Sequence, residues 1–230
     1  MKKIILIVSI ILLVTGIIGG TVVSVPVLAQ GYDAIFERVE EQMQTYNYEF
    51  DSSVKELSLD IASAKTTVLY GGEEKITVVY RTTGKNRELD CNMENGVLGI
   101  REKMAFSFFS LFGSFYNEIS ITLPERFRSE AVLSKVDIKL ASGSIDGDIP
   151  KCSGETDIYV ASGKVSSTTD TDSFVLNVAS GDVAISNRGG KLSSVKAHCT
   201  SGSITLDRFV CADNNYDVTS GRMSSNGLCG

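Results

Sequence analysis

Ala141-Ser142-Gly143, Ala161-Ser162-Gly163, Ala179-Ser180-Gly181, Thr200-Ser201-Gly202 and Thr219-Ser220-Gly221 are five copies of one small triplet in the C-terminal half of a 230-residue chain. Their glycines lie 20, 18, 21 and 19 residues apart. A period near twenty residues marks a stacked architecture, in which one repeat cannot bury its own apolar face and depends on its neighbours. The flanks agree. The fifth and third residues before each glycine are Ile138 and Leu140, Ile158 and Val160, Leu176 and Val178, Ala197 and Cys199, Tyr216 and Val218. The second residue after it is Ile145, Val165, Val183, Ile204 or Met223. Alternation with period two specifies a strand with one buried face, and its resumption after the triplet specifies a corner followed by a second short strand.

Gly143, Gly163, Gly181, Gly202 and Gly221 are therefore the expected structural turns. A tight bend often requires φ > 0, which glycine alone adopts without a Cβ clash, while the serine can hydrogen-bond local backbone. Rungs about 4.8 Å apart would give a five-rung ladder about 24 Å long. Asp60-Ile61-Ala62-Ser63-Ala64 reads as a degenerate first copy, with Ala64 in the place of glycine. An atypical first rung is what the cap of a stack requires.

This pattern, with Glu56–Ile61, the strand-turn-strand element Asn95-Gly96-Val97-Leu98-Gly99-Ile100, and Ile119-Ser120-Ile121-Thr122-Leu123-Pro124, resembles the bacterial adhesin-like domain also called toastrack, over roughly residues 54–227. The resemblance implies a β-solenoid-like, membrane-tethered extracytoplasmic domain without known catalytic residues. The expected fold class is all-β: a single-chain, β-solenoid-like stack with an N-terminal transmembrane helix. Residues 1–30 form the anchor, 31–53 a juxtamembrane helix, and 54–230 the repeat domain, with its repeats starting near residue 134.

The anchor is read from residues 4–29, which carry no charge behind Lys2 and Lys3. That length spans a bilayer core of about 30 Å, and the two lysines hold its start in the cytoplasm. Val27-Leu28-Ala29 would also suit a signal peptidase, but the apolar run exceeds the usual 7–15 residues of a signal peptide. Tyr32–Tyr48 reads as an amphipathic helix with Ile35, Val39, Met43 and Tyr46 on one face. Met104–Tyr116 holds five of the ten phenylalanines, Phe106, Phe108, Phe109, Phe112 and Phe115, and no charge. Such a segment either caps the stack or presents an apolar patch to a partner. Val39, Phe108, Phe109, Phe112 and Phe115 are the candidate partner contacts, at the membrane-proximal end and not on the repeat face. Gly16 and Gly20, with the stalk, could pair two copies into a homo-oligomer.

Charge and chemistry exclude several function classes. The 28 acidic side chains outnumber the 22 basic ones, and two of the latter are Lys2 and Lys3, so the outer part is more acidic than the −6 of the whole chain. This disfavours nucleic acid and anionic lipid surfaces. The five cysteines, Cys91, Cys152, Cys199, Cys211 and Cys229, form no Cys-x-x-Cys pair, so no zinc site is expected, and Cys199 sits at a core position. His198 is the only histidine, and alternation turns it outward as a surface residue. Asp146-Gly147-Asp148 reads as a turn in preference to a calcium loop. No nucleophile elbow, phosphate loop or metalloprotease motif is present. No cofactor, metal or catalytic residue is expected. The functional expectation is a non-enzymatic binding or scaffold module of the bacterial envelope, with an envelope or membrane protein as partner and a role in envelope-stress sensing. A surface adhesin for wall or host ligands is the alternative, and a wall-polysaccharide enzyme the remote one.

Overall fold

The repeat period becomes visible as soon as the strands are followed in order. The computed structural model of the protein describes residues 43–71, 74–83, 88–103 and 116–227. In chain order these contain β1 (Gln44–Asp51), β2 (Glu56–Ile61), β3 (Lys65–Gly71), β4 (Lys75–Thr82), β5 (Glu88–Glu94), β6 (Val97–Lys103) and β7 (Asn117–Pro124). A four-residue helical turn, α1 (Arg126–Ser129), leads into the repeats. These are β8 (Leu133–Leu140) with β9 (Ser144–Asp148), β10 (Cys152–Val160) with β11 (Lys164–Thr169), and β12 (Thr171–Val178) with β13 (Asp182–Asn187). β14 (Leu192–Cys199) with β15 (Ser203–Asp207) and β16 (Cys211–Val218) with β17 (Arg222–Asn226) complete them.

Each repeat gives one strand to each of two sheets. The eight-stranded sheet runs β16-β14-β12-β10-β8-β2-β6-β5, and the nine-stranded sheet runs β1-β4-β7-β3-β9-β11-β13-β15-β17. The repeat strands pair in parallel and in register, Leu140 with Val160 with Val178 with Cys199 with Val218. The degenerate copy takes its expected place, since β2 and β3 pair with β8 and β9 as a first rung. The hairpin is present as well: Asn95 (φ 53°) and Gly96 (φ 80°) make the left-handed pair that a two-residue turn between β5 and β6 demands.

The core lies between the sheets, and over the first four rungs it is the predicted one. Ile138, Leu140, Ile158, Val160, Leu176, Val178, Cys199, Ile145, Val165, Val183 and Ile204 are buried. Fully burying a side chain of this kind contributes about 1.5–3 kcal/mol, and each rung supplies the surface that makes burial possible for the next. No further rung covers the last one among the described residues: Tyr216 and Met223 are only partly buried, and Val218 is 39% exposed.

The corner glycines do a different job from the one expected. None of the five has a positive φ; the positive-φ glycines among the described residues are Gly96, Gly147 and Gly227. What excludes a side chain is the neighbouring corner. A Cβ on Gly181 would lie 2.4 Å from the Gly163 carbonyl oxygen, one on Gly202 2.1 Å from that of Gly181, and one on Gly143 2.1 Å from that of Ala64. The glycines form a column whose backbones touch, and the hydrogen bonds follow. Ala161, Ser162 and Lys164 donate their N–H groups to the carbonyls of Leu140, Ala141 and Gly143, and the pattern recurs at each later corner. Corner serines bond the rung beneath, as Ser142 Oγ donates to the Ala62 carbonyl at 3.0 Å and Ser201 Oγ to that of Ala179 at 3.2 Å.

Among the described residues, the first corner, Ala62–Ala64, has no such neighbour beneath it. β6 and β7 continue the ladders beneath β2 and β3, but residues 104–116 join them where other rungs carry the triplet. The N–H groups of Ala62, Ser63 and Ala64 instead converge on one carboxylate oxygen, Glu102 Oε2, at 3.0, 2.7 and 2.9 Å. Glu102 Oε1 accepts from Ser63 Oγ at 3.1 Å and from Asn117 Nδ2 at 3.2 Å, and Asn117 Oδ1 accepts from Thr82 Oγ1 at 2.6 Å. Glu102 is only 4% exposed. A buried carboxylate is tolerated where several donors meet it, because charge-assisted bonds replace its lost hydration.

Two expectations need correction. The helix anticipated over Tyr32–Tyr48, within the 31–53 segment, does not hold at its end, because Gln44–Asp51 is a strand paired antiparallel with β4. The helical spacing there lost to an edge strand whose Tyr46 stacks on Tyr80, ring centroids 6.2 Å apart. Asp146-Gly147-Asp148 is no turn but the end of β9, where Gly147 (φ 109°) kinks beneath the Val68 carbonyl. Asp148 there holds Arg128 at 3.0 Å and Arg188 at 3.1 Å. The anchor (1–30), the start of the stalk with Val39, and Phe106, Phe108, Phe109, Phe112 and Phe115 lie outside the described residues. No helix among the described residues is long and apolar enough to cross a membrane.

Two stability predictions follow from the corner column. Glu102→Ala takes the shared acceptor from the N–H groups of Ala62, Ser63 and Ala64 and should cost about 2 kcal/mol or more in denaturant unfolding, with Glu102→Gln recovering part of it. A loss below about 0.5 kcal/mol would contradict the capping role. Gly181→Ala should cost on the order of 1–3 kcal/mol through overpacking against Gly163, whereas Ser166→Ala, on the exposed face of β11, should change stability by less than about 0.5 kcal/mol.

Candidate functional site

Because strands alternate, the residues between the core positions of the eight-stranded sheet face solvent, and the in-register ladder arranges them in rows across the strands. One row reads Tyr159, Asn177, His198, Asp217 from β10 to β16. The next reads Asp157, Val175, Lys196, Asn215. Between the two lies an open groove of about 200 Å³ lined by Val175, Leu176, Asn177, Lys196, Ala197, His198, Asn215 and Asp217. Leu176 and Ala197 are buried, so they give the floor their backbone, and Val175 supplies its apolar patch. Asn177, His198 and Asp217 stand on one wall, Lys196 and Asn215 on the other. Tyr159, 47% exposed, stands at the β10 end.

His198 points outward as the alternation requires, but it is not isolated. Its Nδ1 lies 3.0 Å from Asp217 Oδ2 and its Nε2 3.3 Å from Thr200 Oγ1. Because a carboxylate oxygen accepts, the Nδ1 contact is best made with the proton on Nδ1, the tautomer in which Nε2 can accept from the Thr200 hydroxyl. Hydroxyl, imidazole and carboxylate in that order are also the parts of a nucleophilic triad. Here the imidazole and carboxylate side chains are 41% and 69% exposed and Thr200 is exposed, so water screens the polarisation that such activation needs. The bonds fix the ring plane at the groove wall.

Next to the groove, Asp157 is flanked in its row by Asp137 of β8. Burial holds its carboxyl above the usual range, with Asp137 and Glu155 adding to the shift and Lys135 and Lys139 opposing it. Two described thiols elsewhere are quiet. Burial pushes Cys91 up to about 12, with Asp90 adding to it, and burial raises Cys152 as well, so both stay protonated and unreactive at neutral pH. Cys199 is fully buried, as its core position predicts. Among the described residues no group of three or more histidine, cysteine or carboxylate side chains is placed to hold a metal ion.

Of the site residues expected from sequence, the structure places the five corner glycines in one column at the edge of the stack. The candidate partner contacts Val39, Phe108, Phe109, Phe112 and Phe115 lie outside the described residues. The groove was not anticipated, although its signal is in the sequence. Tyr159, Asn177, His198 and Asp217 each stand four residues before a corner glycine, and Asp157, Val175, Lys196 and Asn215 six before.

The fold therefore defines a class: a two-sheet stack of strand-corner-strand rungs. A family model described as Toastrack DUF4097 matches residues 54–228, and the chain belongs to that family. No curated protein matches the chain. Similar solved structures include a candidate cell adhesion protein from Clostridium sporogenes ATCC 15579, 10% identical over 80% of this chain and 99% of that one, with a TM-score of 0.34. A candidate adhesin from Bacteroides fragilis NCTC 9343 is 14% identical over 80% and 97%, TM-score 0.36. A candidate lipid binding protein from Parabacteroides distasonis ATCC 8503 is 15% identical over 80% and 96%, TM-score 0.36. The family assignment rests on the match over 54–228.

Asp157 provides a test of the sheet's electrostatics. A carboxyl raised in the folded state favours folding in its protonated form, so stability falls as pH rises through its titration. Asp157→Asn should raise Tm at neutral pH, by less than about 1 kcal/mol equivalent once solvent screening is allowed for, and the gain should vanish below about pH 4. A lower Tm at pH 7 would show Asp157 to be held by favourable partners instead.

Proposed function

We propose that the chain is a non-enzymatic binding module of the bacterial cell envelope, anchored by its N-terminal apolar segment with the stack on the extracytoplasmic side. The observation that carries this reading is the pair of outward rows. They set a tyrosine, two amides, an imidazole and a carboxylate at fixed spacing on a rigid ladder, which suits holding a ligand more than turning one over. The orientation of the anchor is supported by Lys2 and Lys3 ahead of the uncharged residues 4–29.

Two kinds of contact fit a tethered module. One uses the membrane-proximal segments, with Val39 and Phe108, Phe109, Phe112 and Phe115 meeting a membrane partner of an envelope-stress system, or a second copy through anchor and stalk. The tether would raise the effective concentration of any partner in the same bilayer. The other uses the groove of the repeat face to hold a wall or host ligand, as an adhesin would. The rows favour the second, since their chemistry is specific while the stack needs only that outward residues be polar.

Protease added to intact cells should remove the domain beyond about residue 30 and leave an anchored fragment. Digestion only after lysis would overturn the topology. Crosslinking in cells should then separate the contacts: Tyr159→Ala with Asn177→Ala should remove partners of the groove, and Val39→Asp partners of the stalk.

A further inference from the structure

The groove between the two outward rows carries a more definite reading of its occupant, one that rests on the binding-module proposal. Its direction is informative. The rows run across β10, β12, β14 and β16, so a ligand following the groove lies along the stack axis, perpendicular to the strands. β12 and β14 are interior strands, hydrogen-bonded on both sides. A peptide lying there could not add itself as a strand, because the sheet has no free backbone groups to offer at this face. Recognition must come from the side chains.

Those side chains present hydrogen-bonding groups on two walls and carbon surface on the floor and at one end. Asn177 on β12 and Asn215 on β16 each offer an amide with two donors and an acceptor, one from each row and two strands apart along the groove. His198, fixed by Asp217, keeps one orientation without paying rotamer entropy on binding. Lys196 and Asp217 carry opposite charges on opposite walls, so the groove attracts neither a polyanion nor a polycation. Val175 and the exposed ring of Tyr159 form the apolar part. A ligand complementary to this surface is uncharged, dense in hydroxyl or amide groups along its edges, apolar on its faces, and extended with a repeat near the strand spacing of about 4.8 Å. Sugar rings in a linear chain have these properties: C–H faces for the tyrosine and valine, and ring hydroxyls for the amides and carboxylate.

We propose that this groove binds a neutral, linear glycan along the stack axis, with Tyr159 as stacking platform and Asn177, His198, Asn215 and Asp217 as the hydrogen-bonding walls.

The test uses the full chain in detergent micelles, titrated calorimetrically with chitohexaose and cellohexaose. At least one should bind, with Tyr159→Ala and Asn177→Ala each weakening it about tenfold or more. Tyr159→Phe should retain affinity, since it keeps the ring and loses only the hydroxyl. Ser166→Ala, on the opposite sheet, should bind as the unaltered chain does, and each variant's thermal melt should match the parent's. Failure of both glycans to bind at millimolar concentration would overturn the proposal, as would unchanged affinity in the Tyr159→Ala, Asn177→Ala double variant. If neither glycan binds but that double variant still loses a crosslinked partner in cells, the occupant is a protein: the glycan assignment fails and the binding-module reading survives. Loss of both signals removes the groove as a site altogether.

Discussion

The whole stack depends on backbones meeting backbones at the corners. At Gly143, Gly163, Gly181, Gly202 and Gly221 the chain turns from one sheet into the other while touching the corner of the rung beneath, with room for a hydrogen atom and none for a methyl group. Only at that separation can the corner N–H groups reach the preceding carbonyls. Every buried polar group of a bend must find a partner, and a column of bends solves the problem by repetition. The same seating sets the parallel register of both sheets, and the register places the core residues over one another.

Repetition solves nothing at an end. At the first rung the answer is one carboxylate, because Glu102 gathers the N–H groups of Ala62, Ser63 and Ala64 where other rungs have a corner of backbone below them. In sequence no Ala-Ser-Gly or Thr-Ser-Gly triplet stands between β6 and β7. The β5–β6 hairpin and the antiparallel strands β4 and β1 continue the ladders past this point and change their direction. At the other end β16 and β17 keep the rung geometry, but Val218, a core position by pattern, is exposed. The two ends are thus chemically unlike. The polar cap fixes where the stack begins, and no comparable device is present among the described residues of the last rung.

Much of this was legible because it is periodic. The core of the first four rungs, the degenerate copy at Ala62–Ala64 and the Asn95-Gly96 hairpin follow from alternation and turn chemistry, which act over a few residues. What was not legible is non-local. A glycine required by the next rung's carbonyl looks in sequence like one required by its own φ, so the corners were placed correctly for the wrong reason. Glu102 is one acid among 28, and nothing within ten residues of it announces that its partners lie some 40 positions away. Strand β1 was hidden by an accidental helical spacing, which pairing with β4 overrode. The groove is not legible in the repeat pattern, because its rows occupy the positions where the repeats differ.

That last point follows from the physics of the stack. Inward positions must match their neighbours in volume, and the corner positions must stay small, so each repeat is constrained where it touches the next. The residues four and six before each glycine touch neither core nor corner. Lys139, Tyr159, Asn177, His198 and Asp217 share one structural position and nothing else, a cation, an aromatic ring, an amide, an imidazole and a carboxylate in succession. Simple solubility would be met by any polar residue at these sites, and an exposed tyrosine serves it poorly. The ladder converts such a series of unlike residues into a row at one strand spacing, held to within the rigidity of two paired sheets. Each rung thus contributes a side chain to the surface without altering the backbone that carries it. In this architecture the repeats build the scaffold through what they have in common, and the surface acquires its chemistry through what they do not.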